Sequence, residues 1–258
     1  MDYTTITLEY VGNMAILVLN RPEKYNALNV QMRAEIHHAM IEAGNSSRVV
    51  VMTGAGNAFC SGQDLGDRSR IKDLNLEQTL RDEYVPMLRA IYDCPVPTIA
   101  AVNGAAAGAG ANLALAADVV IASEDAYFLQ AFTRIGLIPD AGGTYVLPRM
   151  IGSAKAMGAA LFAEKITATQ AEQWGMIWEV VQSQLFEETW KARATYLARG
   201  PTQAYAAVKK AVRMSWENTL EAQLRKEAEL QGICGKSRDF KEGVLAFTEK
   251  RMPCFEGR

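Results

Sequence analysis

The stretch Ile99–Ser123, "IAAVNGAAAGAGANLALAADVVIAS", sets the fold class. It opens with a short apolar run, turns at Asn103-Gly104, and passes through small residues into a stretch of helical length. It closes on the β-branched run "DVVIAS". Short continuous apolar runs separated by helices fit strands of a sheet buried on both faces.

Working outward, the same pattern recurs. "TITLEYVGNMAILVLN" reads as two strands joined at Gly12-Asn13, a hairpin signal. "NVQMRAEIHHAMIEA" carries Val30, Ala34, Ile36, Met40 and Ile41 at helical spacing, with Asn29 as the expected cap and Gly44 as the expected stop. "RVVVMTG" is a further strand. The polar segment from Gly66 to Asn75 reads as a loop, followed by a helix from Leu76 to Tyr92. From Leu185 onward, four amphipathic helices follow one another. The expectation is an α/β core over residues 1–184 and a helical region over 185–258. Amphipathic helices with few partners of their own suggest that this second region packs on a neighbouring subunit.

With 258 residues, 49% of them hydrophobic, the chain supports one sizeable core or one domain with an appendage. A net charge of -2 argues against nucleic acid as a partner, since phosphate-tracking surfaces are basic. No apolar run reaches the about 18 residues that span a membrane. Cys60, Cys94, Cys234 and Cys254 are scattered, which fits reduced thiols. No basic start followed by an apolar block is present, so a cytoplasmic location is the expectation.

Several chemistries are excluded by residue type. His37 and His38 are adjacent on one helix and point about 100° apart, which fits a structural or surface role. Without another histidine, the Ser-His-Asp and Cys-His arrangements fail, and no zinc cluster is expected. "GAGNAF" and "GAGANL" end in Phe59 and Leu113 where a dinucleotide fingerprint needs glycine.

Two glycine-rich turns remain, "FCSGQDL" and "NGAAAGAGANLALAAD", each following a strand. Small residues there permit close approach of a ligand to backbone N–H groups. Two such groups aimed at one point would stabilise an oxyanion. Tight strand–helix packing also calls for small residues, and composition alone leaves both open. A third feature is "IGLIPDAGGT", Ile135–Thr144. Asp140 stands among apolar neighbours, either as a helix cap or as an acid held for chemistry.

Taken together, "NRPEKYNALN", "AFCSGQDL", "IAAVNGAAAGAGANLALAADVVIAS", "GLIPDAGGTYVLPRMIG" and "EGVLAFTEKRMPCFEG" resemble the crotonase (enoyl-CoA hydratase/isomerase) superfamily. The motifs fall in family order from about residue 4 to the end. The resemblance implies a spiral of ββα turns with C-terminal helices. It also implies a homotrimer or dimer of trimers acting on acyl-CoA thioesters, with coenzyme A part of the substrate and no separate cofactor.

The resemblance further implies that the backbone N–H groups of Gln63 and Ala109 bind the thioester oxygen. It suggests Lys24, Asp64, Leu65 and Phe132 as substrate contacts, while Lys24 and Arg21 are equally well read as solvated surface. The pocket lining is expected from the loop between Gly66 and Asn75 and from Tyr84 or Met87. Hydratases of this family place one glutamate where this chain has Asn112 and a second where it has Ala131-Phe132. Both carboxylates are absent, and Asp140 is left. Aspartate at that position resembles the ring-1,2-epoxyphenylacetyl-CoA isomerases of phenylacetate degradation. It also resembles the 4-chlorobenzoyl-CoA dehalogenases, whose accompanying Trp and His have no counterpart here. The implied chemistry is a single-carboxylate proton shuttle converting the aryl epoxide to the oxepin-CoA, and 3-enoyl-CoA to 2-enoyl-CoA. A hydratase-like member, a dehalogenase-like member and a silent acyl-CoA-binding protein are the alternatives.

Overall fold

The computed structural model describes residues 2–67 and 75–258. Strands β1 (Ile6–Val11) and β2 (Met14–Leu19) form the expected antiparallel hairpin, with Val11 opposite Met14. Gly12 takes φ +59° at the turn, where a left-handed residue matches the strand twist. Helix α1 (Val30–Ser46) starts as expected, because the Asn29 side chain accepts from the Met32 N–H at 2.8 Å. Gly44 does not end it. The helix runs two residues further, and a Cβ at Gly44 would sit 3.0 Å from Cys94 Sγ and from Pro95 Cδ. That glycine serves close packing, not termination.

Three ββ units then build two sheets in parallel. β3 (Val49–Gly54) pairs in one sheet and β4 (Ala58–Cys60) in the other. They are followed by α2 (Leu76–Thr79), a π-helical turn (Leu80–Tyr84) and α3 (Val85–Tyr92), which together fill the expected helix 76–92. β5 (Thr98–Val102) and β6 (Ala105–Ala107) repeat the step and lead into α4 (Ala109–Leu115). β7 (Val119–Ser123) and β8 (Tyr127–Leu129) repeat it again before α5 (Gly143–Phe162). β9 (Lys165–Thr167) closes the small sheet, α6 (Ala168–Gln173) crosses over, and β10 (Glu179–Val181) closes the large one. The large sheet has the order β1-β2-β3-β5-β7-β10 and the small one β4-β6-β8-β9. This is the α/β spiral that the motifs implied, and it stacks the β4 turn against the β6 turn.

The central strands of the large sheet, β2, β3, β5 and β7, are buried on both faces, as their continuous apolar runs required, while the edge strand β1 is largely exposed. Alternate residues such as Val50, Met52 and Ala100 face the main core, while Val49, Val51 and Ile99 face a second one. That second core is covered by α7 (Phe186–Arg199) through Phe186, Trp190, Ala194 and Ala198. The expected boundary after residue 184 falls in the short 3-10 turn Ser183–Leu185. The remaining helices are α8 (Thr202–Met214), α9 (Leu220–Cys234) and α10 (Arg238–Glu249). Exposed Val244, Leu245 and Phe247 lie on α10. Among the described residues, no helix is long and apolar enough to cross a membrane. His38 contacts Tyr3 at the surface of α1, at 2.9 Å, in keeping with a structural role.

Candidate active site

The site is built from two backbone turns and one side chain. The first turn follows β4. Its path is set by Asn26, fully buried and left-handed at φ +56°, whose side chain accepts from Arg21 N and donates to Ala55 O and Ala58 O. The adjoining segment then brackets the turn. Ser61 N donates to Tyr25 O, Leu28 N donates to Gly62 O at 2.7 Å, and Asp64 N donates to Leu28 O at 3.2 Å. Between these bonds, the Gln63 N–H takes no part in any backbone hydrogen bond of the described residues.

The second turn precedes α4. Gly108 sits at φ +52°, ψ -128°, a conformation that favours glycine. Its N–H donates to Leu129 O, and the next N–H, that of Ala109, likewise has no backbone acceptor among the described residues. The two turns touch. A Cβ on Gly62 would lie 2.7 Å from Ala107 O and 3.3 Å from Ala109 N, and one on Gly110 would lie 2.8 Å from Cys60 Cβ. The small residues therefore serve tight packing, and that packing places the two open N–H groups in neighbouring turns. The two roles left open by composition coexist. Phe132 is buried, and its ring edge comes within 3.9 Å of where a Gly108 Cβ would stand, so an apolar surface adjoins the turn.

Asp140 completes the group. It does not cap α5 with its side chain. The cap position is Gly142, without a side-chain bond, and it is the Asp140 carbonyl that accepts from Gly143 N at 2.9 Å. That carbonyl also accepts from Asn112 Nδ2 at 2.7 Å, and Asn112 Oδ1 accepts from Gln130 Nε2 at 2.9 Å. Gly143 is required for this contact, since a Cβ there would come 2.9 Å from Asn112 Cγ. Asn112 lies three residues beyond Ala109 on α4, so the Asp140 turn is tied directly to the second turn. The carboxyl is thereby released from structural duty. Among the described residues, Oδ1 of Asp140 is the one carboxylate oxygen buried without a hydrogen-bond partner. Burial pushes its pKa up from 3.8 to about 6, with its own backbone N–H pulling weakly the other way.

The other expected site residues distribute differently. Asp64 pairs with Arg21 at 2.8 Å and accepts from Gly66 N at 3.0 Å, so its carboxylate braces the first turn. Leu65 is exposed beside that turn, and Lys24 is exposed on the segment before it. Met87 is fully buried and Tyr84 nearly so. Most of the expected pocket loop, residues 68–74, lies outside the described residues. Among those described, no cluster of His, Cys, Asp or Glu is spaced for a metal ion.

Residues 9–258 match the family model "Enoyl-CoA hydratase/isomerase". The chain belongs to that family. A "Probable enoyl-CoA hydratase" of Rhodobacter capsulatus is 60% identical over the full length of both chains. The "1,2-epoxyphenylacetyl-CoA isomerase" of Escherichia coli is 44% identical over 94% of each. The crystal structure of an enoyl-CoA hydratase from Bacillus anthracis superposes with a TM-score of 0.91 at 32% identity, covering 99% of this chain and all of that one.

Within this hydratase/isomerase frame, sequence reasoning missed the roles of three residues, Tyr84 having been expected only as pocket lining. Asn112 was visible only as a missing glutamate, yet it is the tie that holds the Asp140 turn. Arg33 and Tyr84 lie 30 and 21 residues from Gln63, yet both hydrogen-bond its side chain. Arg33 is buried on α1 among Met32, Ile36 and Met40, but Glu35 is buried there too, so no local anomaly singles it out.

Proposed function

We propose that this member of the family is an acyl-CoA isomerase that works with one carboxylate. The observation that carries this reading is Asp140 Oδ1, buried and unpartnered, on a carboxyl whose pKa burial pushes up to about 6. A thioester oxygen accepts from the N–H groups of Gln63 and Ala109, which raises the acidity of the adjoining carbon. Asp140 takes the proton from that carbon, and the enolate charge rests on the two donors. Each such donor is worth about 3 kcal/mol in comparable sites. The same carboxyl returns the proton at the far end of the allylic system. A 3-enoyl-CoA becomes a 2-enoyl-CoA, with no atom gained or lost. With ring-1,2-epoxyphenylacetyl-CoA, the product is the isomeric oxepin-CoA. Leu65 and Phe132 supply apolar contact, Lys24 meets the coenzyme's phosphates, Asp64 holds the donor turn, and the active form is a trimer or dimer of trimers in the cytoplasm.

The absence of an acid at positions 112 and 132 supports isomerisation over hydration. Water addition needs one group to activate water and another to deliver a proton. Asn112 and Phe132 stand where those groups belong in hydratases, and neither transfers protons. The 60% identical relative bearing a hydratase name favours hydration as the second reading. Both are tested with purified protein on 3-enoyl-CoA, 2-enoyl-CoA and the aryl epoxide thioester. Isomerisation is expected with the first and third, and negligible hydration of the second. Asp140→Asn is expected to lower isomerisation by about 10³-fold. Rapid hydration that survives Asp140→Asn would sink the proposal. Binding of acyl-CoA without turnover would favour a silent binding protein.

A further inference from the structure

The donor turn is held from behind by a side-chain network, centred on the wholly buried guanidinium of Arg33. Its Nη1 donates to Leu28 O at 2.7 Å and to Gln63 Oε1 at 3.1 Å. Leu28 is the residue that brackets Gln63 on both sides, so one nitrogen grips the bracket and the side chain together. The Tyr84 hydroxyl donates to the same Gln63 Oε1. Glu83 neutralises Arg33 through Nε, at 2.9 Å, and through Nη2. Glu83 and Tyr84 are the last two residues of the π-helical turn, and the Arg33 guanidinium also sits 5.0 Å from the centre of the Tyr84 ring. Such turns recur at functional sites.

A guanidinium wholly buried against a half-buried carboxylate is weak evidence for stability alone, since its desolvation offsets much of the attraction. What this one supplies is geometry. The bonds to Leu28 fix the peptide groups before and after Gln63, and the two bonds to Oε1 fix its side chain. The backbone N–H of Gln63 is the group left free, aimed by everything around it. We infer that Arg33 and Tyr84 are positioning residues for the thioester-binding turn, acting through the Gln63 side chain. This rests on the oxyanion role proposed for the Gln63 N–H, and it makes the identity of residue 63 matter beyond its backbone.

The test is difference infrared spectroscopy of phenylacetyl-CoA labelled with carbon-13 at the carbonyl, bound to the full-length protein, alongside steady-state isomerisation of 3-enoyl-CoA. In wild type the carbonyl stretch should fall on binding. In Tyr84→Phe and in Gln63→Leu it should move back toward its value in water. Turnover should drop about tenfold, the scale of one misaligned donor, with KM changed less than about threefold. The double variant should be no worse than Gln63→Leu alone, because both act by one route. Tyr84→Phe removes one hydroxyl and keeps the ring, so it stays informative if Gln63→Leu does not fold. Wild-type stretch and turnover in Tyr84→Phe would overturn the inference. Additive losses in the double variant would do the same, by showing that Tyr84 acts apart from Gln63. No carbonyl shift in wild type would instead overturn the oxyanion role itself.

Discussion

The turn at Gly62–Gln63 and the turn at Asp140 sit in the same site and are built on opposite plans. In the first, nearly every polar group is paired. Gly62 O, Asp64 N, the Asp64 carboxylate and the Gln63 side chain all have partners, and the backbone N–H of Gln63 is what remains open. In the second, the backbone carbonyl is paired and one carboxylate oxygen is not. The Asp140 carbonyl has two donors while Oδ1 has none. A charge-stabilising donor has to be rigid, because its value lies in needing no reorganisation. A proton carrier has to titrate, because both of its charge states are used. The contrast is the one that the two proposed roles require.

The contrast can be broken from the backbone side. Gly62→Ala puts a Cβ 2.7 Å from Ala107 O at a residue with φ +93°. The two turns must then separate, and turnover is expected to fall about 10²-fold. Stability should fall as well, by about 1–3 kcal/mol for the strained conformation. Gly12→Ala is the matched comparison, left-handed but with open space around the Cβ. It should lower the melting temperature and leave kcat unchanged. Equal kcat losses in the two variants would mean that the loss at Gly62 reflects general destabilisation.

A smaller effect is expected from loosening the link between the turns. Asn112→Ala removes the donor to the Asp140 carbonyl and strands Gln130 Nε2 in the core. About 2 kcal/mol of stability should be lost, for a buried polar group left unpaired. Isomerisation should drop about tenfold, with the carboxyl present but less well placed. If denaturant melts show the stability loss while kcat holds, Asn112 anchors the fold and does not aim the acid.

How much of this was legible follows from range. The Gly12 hairpin, the Asn29 cap and the helical tail depend on neighbours within a turn or two, and the sequence pattern carried them. Strands β4, β6 and β8 are three residues each, too short for any periodicity, so the second sheet was invisible as strands. Gly44 was misjudged because a packing glycine and a stop glycine look alike until Cys94 and Pro95 are seen beside it. Asp140 was legible as an acid out of place, but its freedom from capping depends on Asn112, 28 residues away. The Arg33–Glu83 pair spans 50 residues and no local pattern predicts it.

The subtlest prediction sets Asp140 against a second carboxylate, Glu35. Burial would raise Glu35, but bonds from Gln31, Thr5 and Thr4 outweigh it and hold its pKa down to about 2. Its stabilisation is therefore present above its ordinary value of 4.5 and lost as pH falls toward 2. Asp140 has the opposite sign. Its folded pKa of about 6 lies above the ordinary 3.8, so between those values the native state holds a proton that the unfolded chain releases. Stability falls as pH rises across that window, and the full cost is present above it. Asp140→Asn removes the charge, and should stabilise the protein at neutral pH by about 1–2 kcal/mol once solvent screening is allowed for. The gain should shrink as pH falls through that window and vanish well below 3.8, where wild type is neutral in both states. The same proton should appear in the rate, with kcat/KM for isomerisation climbing to a plateau above pH of about 6. A variant that is dead yet more stable, with both effects tracking one ionisation, is what an acid kept for chemistry predicts. An Asp140→Asn protein no more stable than wild type at neutral pH would show that the carboxylate is well solvated where it stands.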